Sequence, residues 1–443
     1  MLAKTANDVL AMAKEKNVRF VELQLVDILG SQKTVSIPVT QLDKALNNEI
    51  AFDGSSIEGF VRINEADMLL YPDPNTFVIY PWLNGRQTTA RLLCDVHNPD
   101  GTPFVGDPRG VLKKVVKEAE AMGLQLYAGT EAEFFLFEQG ENGCPTVNTF
   151  DKGFYFDTDP TDKSEEARRD MVITLEEMGF SIEAAHHENA HGQHEIDFKY
   201  AGAVETADNI STLKTVVRIV ARSHGMHATF MPKPIAGVAG SGMHIHQSVF
   251  KNGINAFYDP DRPQGLSVMA EAYIAGLMDH AGAMTAITNQ LVNSYKRLVP
   301  GHEAPVYIAW AMANRSPLIR IPSRRGIGTR IELRSPDCSC NPYLALAVSM
   351  KAGLDGIKRN LVPPAPISDN IYELDEKQRL SRNILSLPGN LSLAIEALKQ
   401  DALIRETLGE HVYQSFLNAK SQEWADYSQQ VHEWELNKYL WSF

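Results

Sequence analysis

The sequence predicts an α+β protein of two units, a small one over 1–105 and a larger one over 106–443 whose end is helical. Three observations predict it. Short alternating strands dominate the first hundred residues. Strands and amphipathic helices then follow one another after a break at 98–107 rich in Asn, Pro, Asp and Gly, and the stretch from Leu391 onward has a mostly helical pattern. At 443 residues the chain has room for two or three domains and a large buried core.

In the first unit a polar helix is predicted over 5–16. It leads into 19–27, where Val21, Leu23 and Leu25 alternate with Glu22 and Gln24 as in a strand with one buried face. Further short strands fit 34–37, 76–80 and 90–96, while 52–59 and 61–75 read as loops. Asp107 then caps a helix with Pro108 at its first position. Val111, Val115, Ala119 and Met122 form its apolar stripe, and Gly123 stops it. Helices also fit 163–178, 206–224 and 267–286, and a Pro-rich segment at 362–367 sets the helical tail apart. No internal repeat or low-complexity tract is present.

The net charge of −13 argues against nucleic acid or an anionic membrane as the main partner. It leaves nucleotide binding open, because a bound metal inverts the local sign. No run of about 18 apolar residues predicts a membrane span, and 1–18 lacks the apolar core of a signal peptide, so a cytoplasmic location is expected. Cys94, Cys144, Cys338 and Cys340 form no CxxC pair and no zinc spacing, and are expected to be free thiols.

The chemistry lies in charged residues that interrupt apolar strands. Glu131 and Glu133, two apart in 126–137, share a strand face, and two like charges so placed repel unless a cation lies between them. His186-His187-Glu188 opens a second cluster that ends in Glu195-Ile196-Asp197-Phe198, with Glu195 and Asp197 on one face. Taken alone, His186 and His187 are equally well read as hydrogen-bonded structural residues or as ligands. A third cluster runs from Lys233-Pro234 through Gly240-Ser241-Gly242-Met243 into a strand with His244, His246 and Ser248 on one face. It is no Walker loop, but its glycines permit backbone to approach a ligand. The fourth, Arg330-Ile331-Glu332-Leu333-Arg334, follows Asn314-Arg315-Ser316, Arg320 and Arg297, so several guanidiniums suited to phosphate or carboxylate gather in one region. Glutamates and a histidine without thiolates suit Mg²⁺ or Mn²⁺ better than zinc. With the arginines they describe phosphoryl transfer or ATP-driven ligation.

These motifs, with Phe52-Asp53-Gly54-Ser55-Ser56, Gly192-Gln193-His194-Glu195, Asn293-Ser294-Tyr295-Lys296-Arg297 and Asn341-Pro342-Tyr343-Leu344-Ala345, resemble in order those of the bacterial type I glutamine synthetases. The chain's length resembles the compact Gram-positive branch. The resemblance implies a β-grasp domain followed by a glutamine synthetase/guanido kinase-like catalytic α+β domain. It implies ATP-dependent condensation of glutamate with ammonia through γ-glutamyl phosphate, in nitrogen assimilation.

Position by position, it implies that Glu133, Glu188 and Glu195 hold the metal nearer glutamate, and that Glu131, His244 and Glu332 hold the metal nearer ATP, with two or three Mg²⁺ or Mn²⁺ per site. Glu183, His246, Ser248 and Arg320 match nucleotide contacts. Gly240, Arg297, Arg315 and Arg334 match contacts to glutamate and the transferring phosphoryl group, Glu303 matches the flap glutamate, and Asp53 the ammonium-site aspartate. Because the family's Asp53 position serves a neighbouring subunit, a dodecamer of two hexameric rings is implied. Nitrogen-responsive transcription regulators are implied as partners, and Arg62 as a position sensing glutamine feedback. Tyr372 lies where a longer branch is adenylylated, but its downstream context differs and such control is not expected here. The chain departs from the family pattern at Ala239, Asn189, His191, Ala132 and Cys338, with Asn189 standing where an apolar residue is commoner.

Overall fold

In the computed structural model, residues 4–57, 59–60, 67–301, 303–312, 314 and 316–443 are described. The first helix, Ala6–Glu15, starts at a reciprocal cap in which Thr5 Oγ1 accepts from Asp8 N and the Asp8 carboxylate accepts from Thr5 N. It buries Val9 and Ala13 against a sheet ordered Gln32–Pro38, Phe20–Val26, Thr89–His97, Asp67–Pro72, Ile50–Asp53, with Val78–Ile79 also on Thr89–His97. The central pair, Phe20–Val26 with Thr89–His97, is parallel, as in a β-grasp domain. Val21, Leu23, Met68, Leu70 and Leu92 fill this unit's core.

Two readings of this unit need correction. The stretch 61–75, expected as loop, contains the strand Asp67–Pro72, whose Met68 and Leu70 are buried while Asp67 is exposed. The expected strand over 76–80 shrinks to Val78–Ile79, because Pro74–Thr76 is a 3₁₀ turn capped by Asp73 with Thr76 Oγ1 donating to Asp73 O.

The second unit is built on a sheet ordered Trp310–Met312, Ile319–Ile321, Ile331–Leu333, Met243–Lys251, Gln125–Gln139, Gln193–Phe198, Ile182–His187, with shorter strands alongside. Gln125–Gln139 is its spine, pairing with both long neighbours. Helices cover the face carrying Leu126, Ala128, Ala132 and Phe134. Among them is Pro108–Ala121, with Asp107 as cap and Val111, Val115 and Ala119 buried. The helix expected over 206–224 is Ala203–Ser223, and that over 267–286 is two, Val268–Asp279 and Ala281–Thr288. They part at His280, whose ring lies 2.6 Å from Asp401 Oδ2 and 3.2 Å from Asp355 Oδ2. The most buried helix, Pro342–Arg359, was not anticipated. Asn341 caps it, accepting from Tyr343 N and Leu344 N. Leu391–Gln400, Ala402–Ser428 and Glu433–Tyr439 form the helical end. All four cysteines are free thiols. Among the described residues no helix is long and apolar enough to cross a membrane.

The units meet at Arg109. Its buried guanidinium donates to Asp73 (2.8 Å) and Asp95 (2.7 Å) of the first and, through two bonds of 3.0 and 2.9 Å, to Asp208 of the second. Asn341 Nδ2 donates to Asp27 O, Gln290 Nε2 to Leu29 O and Arg91 Nη2 to Thr212 Oγ1, so buried polar groups of each unit are satisfied by the other. Removing the shared cation leaves three carboxylates facing one another. Arg109→Met is expected to cost roughly 3–5 kcal/mol in urea unfolding. An unshifted midpoint would show that the pairing contributes little to the docking.

Candidate active site

The site is a consequence of strand register. Directly opposite residues of antiparallel strands share a face, as do residues two apart on one strand. Across three strands Asp197, Glu131 and His244 stand in one row. The next row has His186, Glu195 and Glu133, with Gly242 beyond. On the other side Gly129, His246, Glu332 and Arg320 form a third. Carboxylates and imidazoles far apart in sequence thus become one grid on the face opposite the helices.

The first row is anchored at Glu131. His244 Nδ1 lies 2.9 Å from its Oε2, and His246 Nε2 lies 2.7 Å from its Oε1. Arg330 Nε donates to His246 Nδ1 (3.2 Å), which leaves Nε2 as the protonated nitrogen facing Glu131. Burial pushes the Glu131 carboxyl up, but the two histidines outweigh it and hold the group well below the ordinary carboxylate range. Glu332, 1% exposed, pairs with Arg320 and with Arg334 Nε (3.1 Å), and its Oε1 lies 3.6 Å from His244 Nδ1. The donor atoms that gather closely enough to share a cation are those of Glu131, His246 and Glu332, and His244 Nδ1 lies beside both glutamates.

Around Glu133 the balance is reversed. Its Oε2 accepts from Gln193 Nε2 (2.8 Å) and Gly242 N (2.9 Å). Burial, then Glu133, push the Glu188 carboxyl up to about 8, and burial with Glu133, Glu131 and Glu188 raises Glu195 well above its usual range. Burial and Glu195 push Asp197 to about 9. His186, which the sequence left open, lies 3.5 Å from Glu188 and 3.3 Å from Glu195, so a donor set of His186, Glu188 and Glu195 forms beside Glu133. Phe156 and Tyr155 pack edge-on against the His186 ring. Sequence reading had not picked out this aromatic wall, since exposed rings in a loop carry no spacing signal. Carboxylates that need a proton to coexist, with oxygen and imidazole donors converging, fit hard divalent cations. A second buried group, Asp151, Asp162, His187 and His194, is already served by protein: Arg168 Nη1 donates to Asp162 (2.5 Å) and His194 Nδ1 (2.8 Å), and His187 Nε2 meets Asp151 (3.1 Å).

Beside Glu131 opens a 320 Å³ cavity whose lining includes Gly129, Glu183, His246, Ser248 and Arg330. Glu183 reaches it because the register shifts between Asp197 and Phe198, leaving Glu183 as the extra residue opposite them. Arg320 is spent on Glu332 instead. On the other flank Arg297 is 3% exposed and donates to Ser335 O (2.7 Å) and Arg334 O (3.3 Å). A Cβ on Gly240 would lie 2.3 Å from Pro232 O, so a glycine is required there, and one on Gly242 would lie 2.5 Å from Arg297 Nη2 and displace that guanidinium.

The remaining expected positions are more dispersed. Glu303 is exposed, with φ +57°, and its carboxylate meets Asn189 Nδ2 at 3.2 and 3.3 Å. Asp53 ends an edge strand of the first unit, where its exposed carboxylate accepts from Ser55 N and Oγ, bonds that hold it below its usual range. The Tyr372 hydroxyl donates to Ala304 O (2.9 Å). Arg62 and Arg315 lie outside the described residues.

A carboxylate–imidazole grid for divalent cations, a cavity on one side and buried arginines on the other define a metal-dependent phosphoryl-transfer enzyme. Residues 17–99 match the family model described as glutamine synthetase, beta-Grasp domain, and 105–439 match glutamine synthetase, catalytic domain. The chain belongs to the glutamine synthetase family, the ATP-dependent ligases of glutamate and ammonia that make glutamine. It is 59% identical over 440 residues to the glutamine synthetase of Thermus thermophilus, covering 98% of this chain and 99% of that one. It is 55% identical over 437 residues to that of Staphylococcus aureus, covering 98% of each. Among solved structures, a GmaS/ADP complex superposes with a TM-score of 0.89 at 34% identity, over 98% of this chain and 99% of that one. A Plasmodium falciparum glutamine synthetase gives 0.87 at 25%, over 99% and 100%. Membership entails use of ATP and a divalent metal.

The raised carboxyls set a pH dependence. Between about pH 5 and 9 the folded, metal-free chain keeps protons on Glu188 and Asp197 that the unfolded chain has released, so its stability falls as pH rises. Thermal melts of metal-stripped protein should show Tm declining across this range, and added Mg²⁺ or Mn²⁺ should raise Tm more at about pH 8.5 than at about pH 6, both inside that range. Equal metal-induced shifts at both would contradict this account.

Proposed function

We propose that the grid binds two or three Mg²⁺ or Mn²⁺ ions, with Glu131, His244 and Glu332 on the ATP side and Glu133, Glu188 and Glu195 on the glutamate side. The reading is carried by the register that sets Glu131 opposite His244 and Glu133 opposite Glu195. Ions there would offset phosphate charge and neutralise the carboxylates around them. Glu183, His246 and Ser248, which line the cavity beside Glu131, would meet the nucleotide, and Arg320 would act through Glu332 or on the phosphates. Gly240, Arg297, Arg315 and Arg334 would hold glutamate and the transferring phosphoryl group.

A carboxylate is a poor acyl electrophile, so the glutamate side chain is first converted to γ-glutamyl phosphate and ammonia then displaces phosphate. Glu303 would close over that intermediate, exclude water and take a proton from the incoming amine. Asp53, held anionic by Ser55, is suited to attract ammonium, which must lose a proton before it attacks. Its place on an exposed strand end of the first unit supports sharing across a subunit boundary. So does the apolar surface that Trp434, Leu440, Trp441 and Phe443 expose. A dodecamer of two hexameric rings in the cytoplasm, feedback control by glutamine involving Arg62, and contact with nitrogen-responsive transcription regulators complete the reading. Adenylylation of Tyr372 does not form part of it.

Asp53→Ala should leave ATP and glutamate affinities within about twofold while lowering ammonium use by roughly 10²-fold or more. Comparable damage to ATP binding would make Asp53 structural. Phosphate release that needs a larger amine, with ammonium inert, would replace ammonia as the nucleophile. Deleting 431–443 should lower the assembly mass in sedimentation. An unchanged mass would remove the tail from the subunit contact.

A further inference from the structure

Asn189 stands between Glu188 and Glu303, and the geometry gives its amide a use. Its base is fixed: Glu188 N donates to Gln193 O (2.7 Å) and Ala190 N to Gln193 Oε1 (3.1 Å), so 188–190 is pinned on both sides. From there Asn189 N lies 3.1 Å, and Asn189 Nδ2 lies 3.3 Å, from Glu188 Oε2. The same Nδ2 lies 3.3 and 3.2 Å from the two Glu303 oxygens, 114 residues away. Both neighbours turn carboxyl oxygens to the amide nitrogen, which can only donate, so the amide presents its two hydrogens to them.

Glu303 itself is held in the left-handed region (φ +57°), and Gly301, two residues before it, has φ +87°. The chain on its far side is fastened, with Ala304 buried, Ala304 O accepting from Tyr372 and Val306 O accepting from Leu387 N. The segment bearing Glu303 thus has a firm end and an exposed, conformationally costly one. A group with two donors bridges the two carboxyls, whereas an apolar side chain supplies neither bond.

We propose that Asn189 is a positioning residue, an amide latch that tethers the Glu303 carboxylate to Glu188 before any substrate has bound. The inference rests on the reading of Glu303 as the flap carboxylate. It makes closure a property of the free protein and not a response to the acyl phosphate alone. Less of that intermediate is then lost to water while ammonia arrives.

The test uses full-length Asn189→Leu, close in size but without donors, and Asn189→Asp, which adds a third carboxylate. In hydrogen exchange of the metal-free, ligand-free protein, peptides spanning 299–305 should exchange about three- to tenfold faster in Asn189→Leu, and at least as fast in Asn189→Asp. With Mg²⁺, ATP and glutamate, the share of phosphate released without matching glutamine should rise by a similar factor at low ammonium. KM for ATP should stay within about twofold. Unchanged exchange in both variants overturns the latch. Glu303→Ala separates the two readings. If it speeds the same exchange yet leaves phosphate release coupled to glutamine, the latch stands and the flap role falls. If it uncouples the reaction while Asn189→Leu exchanges as the parent does, the flap role stands and the latch falls.

Discussion

Everything in the catalytic unit depends on the mutual repulsion of carboxylates held in register on adjacent strands. Glu131, Glu133, Glu195 and Asp197 cannot move apart, because the hydrogen bonds that set their spacing are the ladder of the sheet itself. The protein resolves this locally in two ways. At Glu131 it supplies His244, His246 and, through His246, Arg330. At Glu188, Glu195 and Asp197 it supplies too little positive charge, and protons remain where the pH would ordinarily remove them. A cation bound there would relieve the second arrangement, and its binding would release those protons.

The rigidity this needs comes from behind and from below. Helices bury the opposite face of Gln125–Gln139, and the Arg168, Asp162, Asp151, His187, His194 network immobilises the residues beside Glu188 and Glu195. The first unit is fastened through Arg109 and the cap of Pro342–Arg359, which also closes on Asp27. The grid is therefore backed by packed elements, while Glu303, Asn189 and Asp53 lie on exposed loops or an edge. On the proposed reading, binding and closure would be divided between parts of different stiffness.

Much of this was legible in the sequence. The period-two alternation around Glu131, Glu195 and His244 assigned each side chain to a face, and the Asp107–Pro108 cap fixed a helix start to the residue. Pairing of Gln125–Gln139 with its neighbours was not legible, because its register is set by contacts with segments far along the chain. His186 is assigned by a local pairing, Ile182–His187 against Gln193–Phe198, which sets it opposite Glu195. Asp67–Pro72 was missed because its alternation is short and one flank is proline. The helix Pro342–Arg359 was missed because burial on nearly all sides erases the amphipathic signal. The Asn189–Glu303 contact carries no local pattern at all.

The spine strand has one further consequence, which concerns parity. Along Gln125–Gln139 the even positions Leu126, Ala128, Ala132, Phe134 and Leu136 belong to the helix-covered core, and the odd positions Glu131 and Glu133 to the grid. Substituting one residue disturbs one cell of that pattern. Losing or gaining one residue upstream within the strand exchanges odd for even, carries both glutamates into the core and turns core side chains outward. Changes of length are therefore open to loops away from the sheet. The spine strand can be edited letter by letter but not lengthened or shortened.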